Sequence, residues 1–560
     1  MFSGSGMSDP TTRNRGWAAF EPLRERSFLI IWSASLLSNL GQLIQGVGAA
    51  WEMTRLTTSP GMVALVQTAL MLPLMLVAVP AGAIADMFDR RKVAMAGLGF
   101  ATLCAAALTL LSSLGLTTPW LLLAFCFLIG SGVALYGPAW QASVIEQVKP
   151  ETLPAAVALS SVSYNIARSF GPAIGGLLVV AAGAMATFAV NAVFYLPLLL
   201  AFYFWQRRHV PPRLPPERLH RAIISGARYA IHSPPVRSVM IRGFATGFAG
   251  ASLSALTPLV ARDLLHGDAS TYGILLGAMG IGAIAGALSV SQVRERLKAE
   301  TAVSLCSVLA GLMVILLGLS HSLLLSVLVM VVAGVFYLLQ TTLLSVGVQL
   351  SAPRWVAARA LSWFQSALTG GIALGAWIWG LLTADWGLQT TLIVSGCVLM
   401  LTPLIGLLMP MPPLTPAAVE PFEIANEPEV ALPLTPRSGP IVIEIEYRVD
   451  PAQAREFYQV MQELQGVRLR NGAFEWSLAR DIADAELWTE RYHCPTWGDY
   501  LRQRSRFTQA DRDLQLRADS FHTPGAGPRV RRRLERPLGS VRWHADTPAP
   551  SGDHPTFFNP

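Results

Sequence analysis

The stretch Gly82-Ala-Ile-Ala-Asp-Met-Phe-Asp-Arg-Arg-Lys92 decides how the rest of the chain is read. It closes one long apolar run and opens another, and its charges crowd into the residues from Asp86 to Lys92. A charged turn this short between long apolar runs fits two membrane-crossing helices joined on the side that retains cations. Gly82 lets a neighbouring helix approach closely. Asp86 can cap a helix or pair with an arginine across a helix interface. A capped turn with ordinary inner-side cations would use the same residues, so the rest of the chain has to decide between them.

Composition takes the decision a step further. Of the 560 residues, 52% are hydrophobic and only 14% charged, whereas a soluble chain carries about a quarter charged residues. The apolar residues fall in runs of about 20 or more, the pattern of a polytopic membrane protein. The net charge of +7 belongs to the loops between the runs, so nucleic acid is not an expected partner. Cys104, Cys126, Cys306 and Cys397 lie in apolar spans and Cys494 in a polar region, with neither a metal spacing nor a disulfide framework. No metal and no cofactor is expected. The polar N-terminus, residues 1–20, reads as disordered and shows no cleavable signal.

Twelve spans are expected, at 28–51, 60–85, 93–114, 119–146, 155–182, 185–206, 238–263, 270–292, 300–319, 322–349, 357–383 and 387–409. About twenty Lys and Arg fall in the N-terminal segment and the loops at 86–92, 147–154, 207–237, 293–299 and 350–359, while the opposite loops hold Arg55, Arg262 and little else. The positive-inside rule then puts both termini in the cytoplasm. The spans form two six-helix halves, 21–206 and 238–409, around a basic central loop at 207–237. A weak repeat relates them: Pro150 to Leu159 aligns without gaps on Ala352 to Leu361.

These features together resemble the major facilitator superfamily. The loop matches its signature Gly-x-x-x-Asp-Arg/Lys-x-Gly-Arg-Arg/Lys at Gly82, Asp86, Arg90 and Arg91. Met87 replaces the first basic residue and Asp89 the second glycine. In the fifth span Gly171-Pro172-Ala-Ile-Gly175-Gly176 resembles the antiporter motif of the superfamily's exporters, with Ala167 where that motif carries a further glycine. Pro172 removes a backbone hydrogen bond and bends the helix, and the glycines permit close packing. The resemblance implies alternating access between two halves, with proton-driven export of a small amphipathic solute.

Candidate cavity residues are the polar side chains inside apolar spans. Asn39, Gln42 and Gln45 recur every third residue of the first span and share one helix face. Gln141, Asn165 and Asn191 are further amides. Such amides either bond neighbouring helices together or contact a solute. Arg168 lies about mid-depth, where a charge costs at least ~2.5 kcal/mol and faces a cavity or a partner. It would favour an anionic group. No carboxylate lies at mid-membrane, so the sequence names no proton carrier.

After Met409 the character changes. Residues 410–439 form a proline-rich linker. Residues 440–535 then read strand, helix, strand, strand, helix, strand, with strands at Ile441–Val449, Ala473–Ala479, Ala485–Tyr492 and Pro528–Leu534 and helices from Pro451 to Gly466 and Pro495 to Ser520. The fold class is therefore a twelve-helix, all-α membrane part followed by an α+β ferredoxin-like cytoplasmic domain, with a disordered tail at 536–560. The tail domain resembles the antibiotic-biosynthesis monooxygenase type. The combination resembles the bacterial transmembrane secretion effector branch, related to enterobactin exporters, which implies an inner-membrane exporter of a siderophore or drug-like product. Trp476, Trp488, Tyr492, His493 and Trp497 supply aromatics and an imidazole, but such residues more often form a core or a dimer interface. The domain is expected to mediate homodimerisation or regulation. The alternatives are a membrane-anchored, cofactor-independent monooxygenase-like enzyme, an importer of the same fold, and a non-transporting receptor.

Overall fold

The computed structural model describes residues 20–149, 152–205, 227–353, 356–411, 430–523 and 527–535. Most of the central loop, most of the proline-rich linker and both terminal segments lie outside these. The described residues fall into two compact units, one within 20–205, 239–346 and 362–411, the other within 227–238, 347–361 and 430–535.

The first unit is helical. Its first four spans are α1 (Arg26–Leu56), α2 (Pro60–Met87), α3 (Arg90–Ser113) and α4 (Pro119–Gln147). The next helical stretch, Leu153–Phe204, is 52 residues long, about 78 Å at 1.5 Å per residue and far more than one membrane crossing. It is two spans, α5 (153–182) and α6 (184–204), separated by Gly183 at φ 79° and ψ 171°. Then follow α7 (Pro234–Ala255, continued by Thr257–Leu259 and a π turn at Val260–Leu264), α8 (Ala269–Arg296), α9 (Ala299–Leu319), α10 (Leu323–Ser351), α11 (Ala357–Trp386) and α12 (Leu388–Leu401, continued to Leu408). Gly387, between α11 and α12, repeats the Gly183 geometry at φ 79° and ψ 160°. Only glycine takes that backbone conformation without strain, and its recurrence in the second half is the internal repeat in three dimensions. Helix exteriors carry bare leucines, among them Leu103, Leu288, Leu324 and Leu407, each more than 70% exposed. A lipid solvent accounts for that surface.

Several span boundaries differ from the sequence reading by up to five residues, as at α1, which runs to Leu56 rather than 51, and α8, which runs to Arg296 rather than 292. α7 begins at Pro234 rather than 238, because a proline in the first helical turn lacks only an N–H that would be unpaired anyway.

In the second unit β1 (Ile441–Arg448), β2 (Phe474–Arg480), β3 (Leu487–Cys494) and β4 (Arg529–Leu534) form an antiparallel sheet in the order β2-β3-β1-β4. Helix α13 (Ala454–Arg470) runs past Gly466, which stands in open space. The single helix expected at 495–520 is two, α14 (Trp497–Ser505) and α15 (Gln509–Asp519). Thr508 and Asp511 explain the break: the threonine Oγ1 accepts the Asp511 N–H at 3.2 Å and the aspartate accepts the Thr508 N–H at 3.1 Å. This reciprocal cap starts a new helix. Tyr447, Phe457, Met461 and Leu464 form the core between sheet and helices.

Candidate functional site

Asp89 caps α3, accepting the N–H groups of Arg91 at 2.9 Å and Lys92 at 3.3 Å. A carboxylate can therefore stand where the resembled signature has glycine, because it satisfies donors left unpaired at a helix start. Arg90 reaches Glu146 at the end of α4, 3.2 Å away. Arg91 donates to the Tyr203 carbonyl near the end of α6. Both arginines thus tie α3 to other helices of the first half. Gly82 and Asp86 sit near the end of α2, and their side chains lie outside those described.

The Gly171–Gly176 segment of α5 packs in two directions. A Cβ on Gly171 would lie 3.0 Å from the Leu43 Cβ of α1, and one on Gly175 would lie 3.1 Å from the Val47 Cβ. Gly176 faces α8 instead, where a Cβ would lie 2.7 Å from both the Ala269 carbonyl and the Gly273 Cα. A Cβ on Gly273 would lie 3.0 Å from the Pro172 carbonyl. The motif is therefore one place where the two halves touch backbone to backbone.

That contact continues toward one end of the molecule. Trp51 of α1 stacks on Tyr272 of α8 with ring centroids 6.4 Å apart. The Arg262 Nη1, in the π turn after α7, donates to the Thr54 carbonyl at 3.2 Å. Thr68 of α2 donates to the Ala373 carbonyl of α11 at 2.8 Å. These elements lie where α1 ends and α2 and α8 begin. Toward the opposite end, two ion pairs among the described residues lie within a half: Arg90 with Glu146, and Arg242 of α7 with Glu300 of α9 at 2.6 Å. Glu300 also accepts the Met411 N–H at 2.8 Å.

The cavity candidates separate into two groups. Asn191 donates to Gln45, and both are buried within the first half. They bond α1 to α6 rather than lining open space, which is the helix-bonding role such amides can have. Asn39 is also buried. Gln42, Asn165 and Arg168 are partly exposed, and Gln141 is exposed. Arg168 lies at the seam between the halves: a Cβ on Gly280 of α8 would lie 3.0 Å from its carbonyl. The next residue, Ser169, has its Oγ 2.9 Å from the Asn165 carbonyl and 3.2 Å from that of Gly280.

Sequence reasoning missed Arg242 and Gln340. Arg242 is 4% exposed, and a charge inside the apolar run at 238–263 was the available signal. Gln340 donates to Thr246 at 2.9 Å and Ser307 at 2.6 Å, bonding α10 to α7 and α9.

In the tail domain the aromatics serve packing and a buried ion pair. Trp488 meets Phe457 edge-on, Trp497 packs on Tyr500, and the Trp476 Nε1 donates to Glu490 at 2.9 Å. Glu490, fully buried, receives Arg468 in a two-point contact at 3.0 and 3.2 Å. Burial works against the Arg468 charge, but the adjoining Glu490 holds its pKa well above the ordinary arginine value. His493 is on the other face of the sheet, near Glu475 and Glu535. Burial pushes the Cys494 thiol up to about 12, so it is no thiolate at neutral pH.

The comparisons follow the geometry. Residues 17–538 match the family described as transmembrane secretion effector. The multidrug efflux pump Tap of Mycobacterium bovis is 25% identical over 401 residues, 69% of this chain and 94% of that protein. The enterobactin exporter EntS of Escherichia coli O1:K1 is 26% identical over 369 residues, 63% of this chain and 84% of that protein. The solved structure of a bacterial homologue of the lysosomal transporter Spinster, inward-facing and unoccupied, superimposes with a TM-score of 0.57 at 14% identity, covering 70% of this chain and 97% of that one. The chain belongs to the transmembrane secretion effector family and is a multi-pass membrane transporter of the major facilitator fold.

Proposed function

We propose that the chain exports a small amphipathic molecule from the bacterial cytoplasm by alternating access, driven by proton entry. The observation that carries this reading is the asymmetry of the seam. The halves are joined at one end by α5–α8, α1–α7 and α2–α11 contacts, while at the other end the described pairs Arg90–Glu146 and Arg242–Glu300 each lie within one half. With both termini cytoplasmic, as the positive-inside rule requires, the joined end is the outer one and the conformation is inward-facing. Export then needs the α5–α8 contact to open and the inner ends to close. Arg90, Arg91 and Asp86 act in that inner closure, and the Gly171–Gly176 segment is the hinge surface. Arg168, with Gln42 and Asn165, faces the solute and favours an anionic group. The names of Tap and EntS support export of drug-like or siderophore cargo.

The C-terminal domain serves assembly or regulation rather than catalysis. The Arg470 guanidinium lies over the Tyr229 ring at 5.8 Å and pairs with Asp511.

The test is solute efflux from loaded cells expressing the chain, with and without a protonophore. The panel holds a siderophore and a cationic dye, and Arg168→Ala is included. Protonophore-sensitive efflux that Arg168→Ala diminishes is the expected result. Solute entry in place of exit would identify an importer, and fluxes indifferent to the chain would defeat the transport mechanism proposed.

A further inference from the structure

The joined end of the membrane part carries few cations in the sequence, Arg55 and Arg262 among them, and the two behave differently. Arg55 pairs with Glu52 on its own helix, α1, at 3.1 Å. Arg262 crosses to the other half. Its Nη1 donates to the Thr54 carbonyl of α1 at 3.2 Å, while its Nε and Nη2 hold the two Asp263 oxygens at 2.6 and 3.0 Å.

The acceptor belongs to a helix end. α1 stops at Leu56, and the Thr57 N–H goes to the Met53 carbonyl. The Thr54 carbonyl falls in the last turn, where a helix runs out of its own donors and its dipole is negative. A guanidinium suits that position on both counts, and here it comes from the opposite half. Asp263 sets its angle: a two-point contact with a carboxylate fixes the plane of the guanidinium, and Nη1 is the nitrogen left for Thr54. Both residues stand in the π turn at Val260–Leu264, where the Leu265 N–H reaches back to the Val260 carbonyl at 3.0 Å. Such turns are rare and recur at functional positions. One turn earlier on α1, Trp51 makes its stack with Tyr272 across the same seam.

We propose that Arg262 is the releasable latch of the closed end, capping α1 from the second half, and that Asp263 is the positioning residue that holds it there. The proposal rests on the alternating-access reading, in which this end opens during export. The cap favours closure without burying a charge. Both side chains stay partly exposed, so water can replace each hydrogen bond as the halves part. Lysine cannot substitute, because it lacks the planar fork that holds Asp263 and reaches Thr54 together.

The experiment measures, on intact cells, how fast a membrane-impermeant maleimide reacts with the full chain carrying Cys397→Ser and Thr54→Cys. Thr54 is 8% exposed, and its replacement keeps the backbone carbonyl that Arg262 uses. A companion chain with Thr58→Cys, at an exposed position, reports orientation and the amount of folded protein. Slow labelling at position 54 is expected in the parent. Asp263→Ala, which trims nothing from Arg262, should speed it at least about threefold. Arg262→Lys should match that rate, and Asp263→Glu, which keeps the carboxylate, should stay near the parent. With position 58 labelled throughout, equal rates across the set, Arg262→Lys as slow as the parent, or Asp263→Glu as fast as Asp263→Ala would each overturn the latch and leave the export reading standing. Position 58 unreactive until the cells are permeabilised would instead overturn the orientation, and the latch's place in export with it.

Discussion

Gly176 is a residue on which the seam between the halves depends directly. A Cβ there would meet backbone of α8 at 2.7 Å, and backbone cannot yield as a flexible side chain can. Gly176→Leu is expected to overpack the α5–α8 contact by about 1–3 kcal/mol, and efflux should fall roughly tenfold or more for each 1.4 kcal/mol by which it disfavours the closed state. Gly171→Ala, which meets only the Leu43 Cβ at 3.0 Å, should retain most of the activity. Initial efflux rates at matched expression compare the two. In the C-terminal domain, Arg468→Met leaves the Glu490 carboxylate buried and unpaired, at a cost of about 3–5 kcal/mol. The paired change Arg468→Met with Glu490→Met should recover much of that stability. The temperature at which the domain unfolds, followed in all three variants, decides whether pairing or mere bulk is what matters there.

At the level of single elements, the starts of α3, α4 and α8 are set by short polar residues at the membrane edge. Asp268 caps α8, accepting the N–H groups of Ser270 at 3.0 Å and Thr271 at 3.2 Å. The Ser270 hydroxyl first, and the Thr271 N–H with it, hold the carboxyl below its ordinary range. A depressed carboxyl pKa contributes stability above its unfolded value near pH 4 and loses that contribution as pH falls through the lowered value. Asp268→Ala should therefore cost about 0.5–1 kcal/mol at neutral pH, the low end for so exposed a cap. The difference from the parent should shrink below about pH 4, as thermal unfolding at several pH values would reveal. The α3–α4 pair is a second element-level device. Arg90 and Glu146 are 25% and 17% exposed, enough burial to matter and too little to be costly. Glu146→Arg should impair efflux by repulsion, and adding Arg90→Glu should restore part of it. No restoration would mean that the pair is incidental to gating.

On the scale of the whole molecule, orientation and conformation can be read by labelling. In a Cys397→Ser background the other cysteines are buried. A cysteine at the exposed Thr58, in the joined end, should react with a membrane-impermeant maleimide on intact cells. One at the exposed Arg296, at the other end, should react only after permeabilisation. The reverse pattern would invert the topology and with it the inward-facing assignment.

The sequence by itself determined the succession of spans, the strands of the C-terminal domain and the family. Apolar runs of fixed length report the membrane because the bilayer's thickness sets the length of a span. The alternation of Ile441 to Val449 reported a strand for a similar reason of period. Even the break between α5 and α6 was legible, since Gly183 falls between the spans assigned to 155–182 and 185–206. What only the tertiary structure decided was partnership. Gln45 and Asn191 are 146 residues apart, and nothing local distinguishes amides that bond each other from amides that face a solute. Arg242 and Glu300 found each other across 58 residues, and the Gly171–Gly176 motif divided its faces between α1 and α8. Spans follow from local transfer energy, which each segment carries with it. Sites follow from which faces meet, and that is a property of the packed whole.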